Sequence, residues 1–280
     1  MSKILALLDG SIYAQSVCHH AAWIAARLGA PVEAMHVLGR PSGVDTPDLS
    51  GALRLGARSK LLSELAALDE QRAKLAAAQG HAILEDAETI LRADGVTQVS
   101  RRLRRGDLLD ALHEVEADTR AIVLGKRGEG ADFASGHLGS NLERIVRSTQ
   151  VPVLVAARAF RPVARVLLAY DDSPSARRAV DRMANSPVFA GLSVTVAHVG
   201  GTNPAVTEPA LTRLRAAGLS VTPRTLPGEP DAVLGRLIAE DGFDLLVMGA
   251  YGHSRIRTLI IGSTTTAMIQ TVRAPVLLYR

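Results

Sequence analysis

The chain has 280 residues and a mass of 29.6 kDa; 47% of it is hydrophobic, 21% charged and only 3% aromatic, which excludes a disordered or collagen-like chain and leaves room for two cores. The lone Cys18 excludes an internal disulfide or a thiolate metal centre, so a reducing cytoplasm is expected. The net charge of +4 sits wholly in the second half, because residues 1–158 hold 19 Lys+Arg and 19 Asp+Glu whereas 159–280 hold 13 and 9.

The opening MSKILALLDG is too short for a signal peptide or a membrane span. Its apolar run predicts a strand ending at Asp9, followed by a helix from Val17 to Leu28 with Cys18 packed on an alanine face beside Ala21, Ala22 and Ala25. VEAMHV predicts a second strand ending at His36 and Val37. In the Ala/Leu-rich stretch 51–93, Leu61, Leu65, Leu68 and Leu75 recur at helical spacing, with Gly80 as the expected stop. A third strand near 97–103 carries the basic run Arg101, Arg102, Arg104 and Arg105. Without interleaved aromatics that run reads as a solvated strand edge rather than a nucleic-acid patch. A helix over 107–117, the strand AIVLG, a glycine loop, a helix over 140–148 and a strand after Pro152 complete the unit.

Beyond a junction from Arg158 to Ala164, punctuated by Pro162, the same order begins again. ILALLDGS at Ile4 returns as VLLAYDDS at Val166, and VEAMHV returns as VTVAHV with His198 and Val199, both at an offset of 162. Later landmarks lie closer: Gly125 matches Gly249 at an offset of 124, and Pro152 matches Pro275 at 123, so the second copy lacks about 38 residues opposite the leucine-rich stretch. Its helices are predicted over Ala176 to Met183, 231–240 and 264–272, and its third strand over 219–225. Continuous Val/Ile/Leu runs imply strands covered on both faces, hence parallel sheets with crossover helices. The expected fold is α/β, two tandem copies of a parallel five-stranded sandwich of Rossmann-like type, with domains 1–158 and 159–280.

The second glycine loop reads Gly249-Ala-Tyr-Gly252, then nine residues, then Gly262-Ser263. With 24 glycines and 34 serines plus threonines in 280 residues, chance supplies about 0.02 such patterns, so the spacing is specific. The preceding strand ends at Met248, and a helix begins after Ser263. Glycines at the carboxyl end of a parallel strand admit an anion, and the helix start offers unpaired amides, with Ser263 and Thr264 as added hydroxyl donors. His253 follows closely enough to touch a phosphate, with an exposed loop residue as the plainer reading. A simple turn and helix cap also remain open for Gly249, Gly252 and Ser263. No Walker loop or dinucleotide G-x-G-x-x-G is present.

VLLAYDDS, VTVAHV, the loop G-x2-G-x9-G-S and the closing APVLLYR resemble the universal stress protein family, as two fused copies of its single domain over nearly the whole chain. The resemblance implies an adenine-nucleotide-binding sandwich (adenine nucleotide α-hydrolase-like) with ATP, accompanied by Mg2+, as its ligand. It would place Asp171 and Val199 near adenine and ribose, Gly249 and Gly252 near the phosphates, and Gly262, Ser263 and Thr264 at the phosphate-facing helix start. It also implies an internal pseudo-dimer through VPVLVA and APVLLY, with a further homodimer left open. Asp172 stands where the first copy has Gly10, an acidic side chain in place of none.

The first copy offers a second candidate set in Asp9, Val37, Gly125, Lys126, Gly128, Gly139 and Ser140. There, ten residues separate Gly128 from Gly139, one too many, a shift of about 3 Å that is enough to break a direct hydrogen bond. Lys126 and Arg127 could supply charge instead. His36 and His198 read as hydrogen-bonded residues at the sheet rim rather than metal ligands, and no catalytic group or metal site is assigned. The leading expectation is a nucleotide-responsive regulatory module in the cytoplasm. A weak ATPase or phosphotransferase and a nucleotide-free scaffold are its rivals.

Overall fold

A computed structural model of the chain describes all residues except Met1, 40–54, 127–139, 202 and 251–260, and only the backbone of 55–61 and 140. The first half runs β1 (Lys3–Leu8), α1 (Ala14–Leu28), β2 (Val32–Leu38), α2 (Leu55–Ala93), β3 (Val99–Arg105), α3 (Leu108–Glu116), β4 (Thr119–Gly125), α4 (Ser140–Ser148) and β5 (Val153–Ala156). The second runs β6 (Arg165–Ala169), α5 (Pro174–Ala184), β7 (Ser193–Val199), α6 (Glu208–Ala216), β8 (Ser220–Leu226), α7 (Pro230–Asp241), β9 (Leu245–Gly249), α8 (Ser263–Thr271) and β10 (Val276–Tyr279), with short 3-10 turns at Pro187–Phe189 and Pro204–Thr207.

The strands form one ten-stranded sheet in the order β3-β2-β1-β4-β5-β10-β9-β6-β7-β8. Each half is parallel throughout, and the halves join where β5 meets β10 antiparallel, with Val276 opposite Val155 and Leu278 opposite Val153. The expected pairing of VPVLVA with APVLLY is this join, and it removes two apolar edges from solvent. Alternation along the strands feeds two apolar layers. Ile4, Ala6, Val166 and Leu168 pack beneath α1, α2, α5 and α6, while Leu5, Leu167, Val155 and Val276 pack beneath α3, α4, α7 and α8.

Side chains also reach across the join. Arg27 donates to the carbonyls of Val188 and Ala190, both at 2.9 Å. Lys126 donates to the Val272 carbonyl just after α8, and Arg280 donates to the Arg147 carbonyl in α4 at 2.6 Å. Each half thus sets a cation at the C-terminal end of the other half's last helix, where the dipole favours positive charge.

Gly80 does not stop a helix: α2 runs on to Ala93. The glycine is buried, and a Cβ there would lie 2.7 Å from Leu103 Cδ1 and 2.9 Å from His36 Cδ2, so the residue lets the helix lie close on β2 and β3 rather than ending it. The arginines of β3 do lie on a sheet edge, and three of the four are matched by carboxylates: Arg101 pairs with Glu85 and Glu88, Arg102 with Glu33, and Arg104 with Glu114. Cys18 is buried, and burial pushes its thiol up to about 12, which makes it a packing residue. No helix among the described residues is long and apolar enough to cross a membrane.

Candidate functional site

In an open parallel sheet a crevice forms where neighbouring strands send their connections to opposite faces. In the second half that point lies between β6 and β9, and a hollow of about 300 Å³ opens there at the carboxyl ends of β6, β7 and β9. Asp171, Val199, Met248, Gly249, Gly262, Ser263 and Thr264 all line it, so seven residues singled out in the sequence converge on one cavity. Gly252 and His253 lie outside the described residues.

Ala169, Ala197, Val199, Leu234 and Met248 give the hollow an apolar side, and its other side is the start of α8. Gly262 precedes that helix without a side-chain cap. Its carbonyl accepts from the Thr266 amide at 2.9 Å, so the amides of Ser263, Thr264 and Thr265 belong to the first turn, which has no intrahelical acceptors. Thr265 turns its hydroxyl inward to the Gly249 carbonyl at 3.2 Å and ties α8 to the end of β9. A Cβ at Gly249 would lie 2.9 Å from Ser175 Cβ and 3.0 Å from the Ala176 nitrogen, so only glycine lets β9 pass this close to α5.

The β6–α5 turn is fixed by local bonds. Asp171 Oδ1 accepts from the Ser173 amide at 3.0 Å, and Ser173 caps α5 by accepting from the Ala176 amide at 3.2 Å. Asp172 adopts φ 60, alone among described non-glycine residues. Its carboxylate accepts from Arg177 at 2.8 and 2.6 Å and from the Tyr170 hydroxyl at 2.7 Å. Burial and then the Asp172 charge push the Tyr170 phenol above its ordinary range, so it stays a neutral donor. The acidic replacement is accommodated by this network.

The first half repeats the frame with another filling. Asp9 Oδ1 accepts from the Ser11 amide at 3.1 Å as Asp171 does from Ser173, and His36 Nδ1 bonds the Leu8 carbonyl at 2.7 Å as His198 bonds that of Tyr170 at 3.0 Å. Both histidines are therefore rim residues fastened to the neighbouring strand. Where β6 and β7 align Ala169 with Ala197, however, β1 and β2 align Leu7 with Met35. Leu7 is 9% exposed and Met35 0%, and both belong to the packed layer that includes Leu112 and Leu142. Val37 packs partly against that layer, Gly125 ends β4, and Lys126 is drawn to Val272. Ser140 begins α4, while Gly128 and Gly139 lie outside the described residues.

Sequence reasoning missed Ala169, Tyr170, Ser173, Ala197, Pro230, Leu234 and Thr265, all of which line the hollow. The signal for Ala197 was available, since VTVAHV and VEAMHV differ there by alanine against methionine.

Residues 1–157 and 202–280 match the family described as the universal stress protein family. The chain is 38% identical over 287 residues to universal stress protein Slr1230 of Synechocystis, covering 100% of both chains. It is 25% identical over 233 residues to universal stress protein Rv1996 of Mycobacterium tuberculosis, covering 72% of this chain and 73% of that one. Among solved structures, a universal stress protein from Archaeoglobus fulgidus superposes with a TM-score of 0.73 at 20% identity, covering 100% of this chain and 96% of that chain.

Proposed function

The chain belongs to the universal stress protein family, and on that premise we propose that it binds one adenine nucleotide, ATP, in its second half and acts as a nucleotide-responsive regulatory module. The observation that carries this reading is the hollow itself: an apolar wall of Ala197, Leu234 and Val199 faces a helix start that offers amides and hydroxyls. A flat base suits the first and phosphates suit the second. Asp171 and Tyr170 stand at the rim between them. Magnesium enters with the nucleotide, because this ion keeps most of its coordination in water and phosphate oxygens. Asp171 is the carboxylate among the described lining residues, and one of its oxygens already accepts from Ser173, so the ion rides on the phosphates.

The first half contributes no second ligand site, because Leu7 and Met35 occupy the volume that Ala169 and Ala197 leave open. Calorimetric titration of the intact chain with ATP and magnesium tests both statements. One nucleotide per chain is expected, and Ala169→Leu with Ala197→Met is expected to weaken binding by about 100-fold, roughly 2.7 kcal/mol, without unfolding the chain. Two sites per chain, or unchanged affinity in the filled variant, would refute the proposal.

A further inference from the structure

The second half shows how little helix is needed between the second and third strands of each unit. α6 has nine residues and buries Ala210, Leu211 and Leu214. In the first half, α2 does the same work with its C-terminal portion alone, burying Leu84, Ala87 and Leu91. Residues 62–79 precede that portion, span about 27 Å of helix, and include no buried residue. This stretch nevertheless carries Leu62, Leu65, Leu68 and Leu75, exposed by 54, 41, 50 and 70%. They are four of the five large apolar side chains exposed among the described residues, the other being Ile12. Leu65, Leu68 and Leu75 follow one another by three and seven positions, the spacing of a helix seam that seeks a second helix.

Charge along the same stretch selects the partner. Acidic Glu64, Asp69 and Glu70 come first and basic Arg72 and Lys74 follow. Within the helix, Lys74 lies 2.7 Å from Glu70 and Arg72 3.8 Å from Asp69, but these pairs are solvent-exposed and hold their charges only weakly. A second copy running parallel would stack acid on acid and base on base. Running antiparallel about Leu68, it sets Glu64 of each helix beside Arg72 of the other and Leu68 against Leu68. We propose that residues 62–79 of α2 form a docking arm that pairs antiparallel with the same arm of a second copy. The pairing is separate from the β5–β10 join and from the hollow in the second half.

Sedimentation velocity on the intact chain between about 1 and 100 μM tests the arm, a range that brackets micromolar self-association. A dimer is expected, and Leu65→Lys with Leu68→Lys and Leu75→Lys is expected to return it to monomer with unchanged circular dichroism and ATP titration. Glu64→Lys should weaken the dimer by about tenfold, and adding Arg72→Glu should restore it. Orientation is read by oxidation, since the native Cys18 is buried. Leu68→Cys should give a disulfide-linked dimer, whereas two Leu75→Cys positions lie about 21 Å apart along the axis and should not link. A monomer throughout the range, a dimer untouched by the lysine variant, or equal linking at positions 68 and 75 would each overturn the proposal.

Discussion

The rims of β1 and β6 have the same construction and differ in what lies beneath them. Both use an aspartate to hold a turn and a histidine to fasten the next strand. One covers Leu7 and Met35, the other Ala169 and Ala197. The comparison teaches that a hollow in this sheet comes from removing side-chain volume from one face, while the rim groups above it stay the same. The two halves share a frame, and a few methylenes separate a hollow from a packed core.

The largest test of that contrast removes the filling. Leu7→Ala with Met35→Ala should cost about 5 kcal/mol in denaturant unfolding, since two neighbouring buried side chains are cut back and their effects need not add. Loss of less than about 1 kcal/mol would mean that the first half already holds a void.

The next test exploits His20, which is buried in α1, whereas its repeat counterpart Arg182 is exposed. Its ring bonds the Ser16 carbonyl at 2.7 Å, and its Nε2 has no hydrogen-bond partner among the described residues. Burial lowers its pKa from 6.5 to about 4, so the unfolded chain binds the extra proton first as pH falls. The stabilisation is complete above pH 6.5 and lost as pH falls towards 4, about 3 kcal/mol in all. His20→Leu should flatten that slope when unfolding is compared at pH 6.5 and 4.5. An unchanged slope would place the sensitivity elsewhere.

The smallest effect concerns the turn. Asp172→Gly installs the residue of the first half at φ 60, relieving backbone strain while giving up the Arg177 and Tyr170 bonds. The net change in stability should stay within about 1 kcal/mol. A larger loss on thermal unfolding would show that the network holds the rim together.

Much of this was legible because the chain says it twice. The strand at Ile4 and its echo at Val166, the two His-Val endings and the two prolines before the last strands fix the parallel order and even the central join. The positions Asp171, Gly249, Gly262 and Ser263 were legible as a cluster because spacing at strand ends survives folding. Gly80 was misread because a glycine in a helical pattern can mark close approach as well as an end, and only the packing of Leu103 and His36 distinguishes the two. The alanines of the hollow were overlooked because a small residue announces nothing until its neighbours are known to leave the space empty. Lys126 was assigned to its own loop because reach across the join to Val272 depends on the relative placement of the halves, which no local pattern records.

The antiparallel meeting of β5 and β10 has a directional result. It reverses strand polarity at the middle of the molecule, so the carboxyl ends of β1 and β4 open towards one pole and those of β6 and β9 towards the opposite pole. A guest seated by Gly262 would therefore lie at the end of the molecule opposite Asp9 and Gly125.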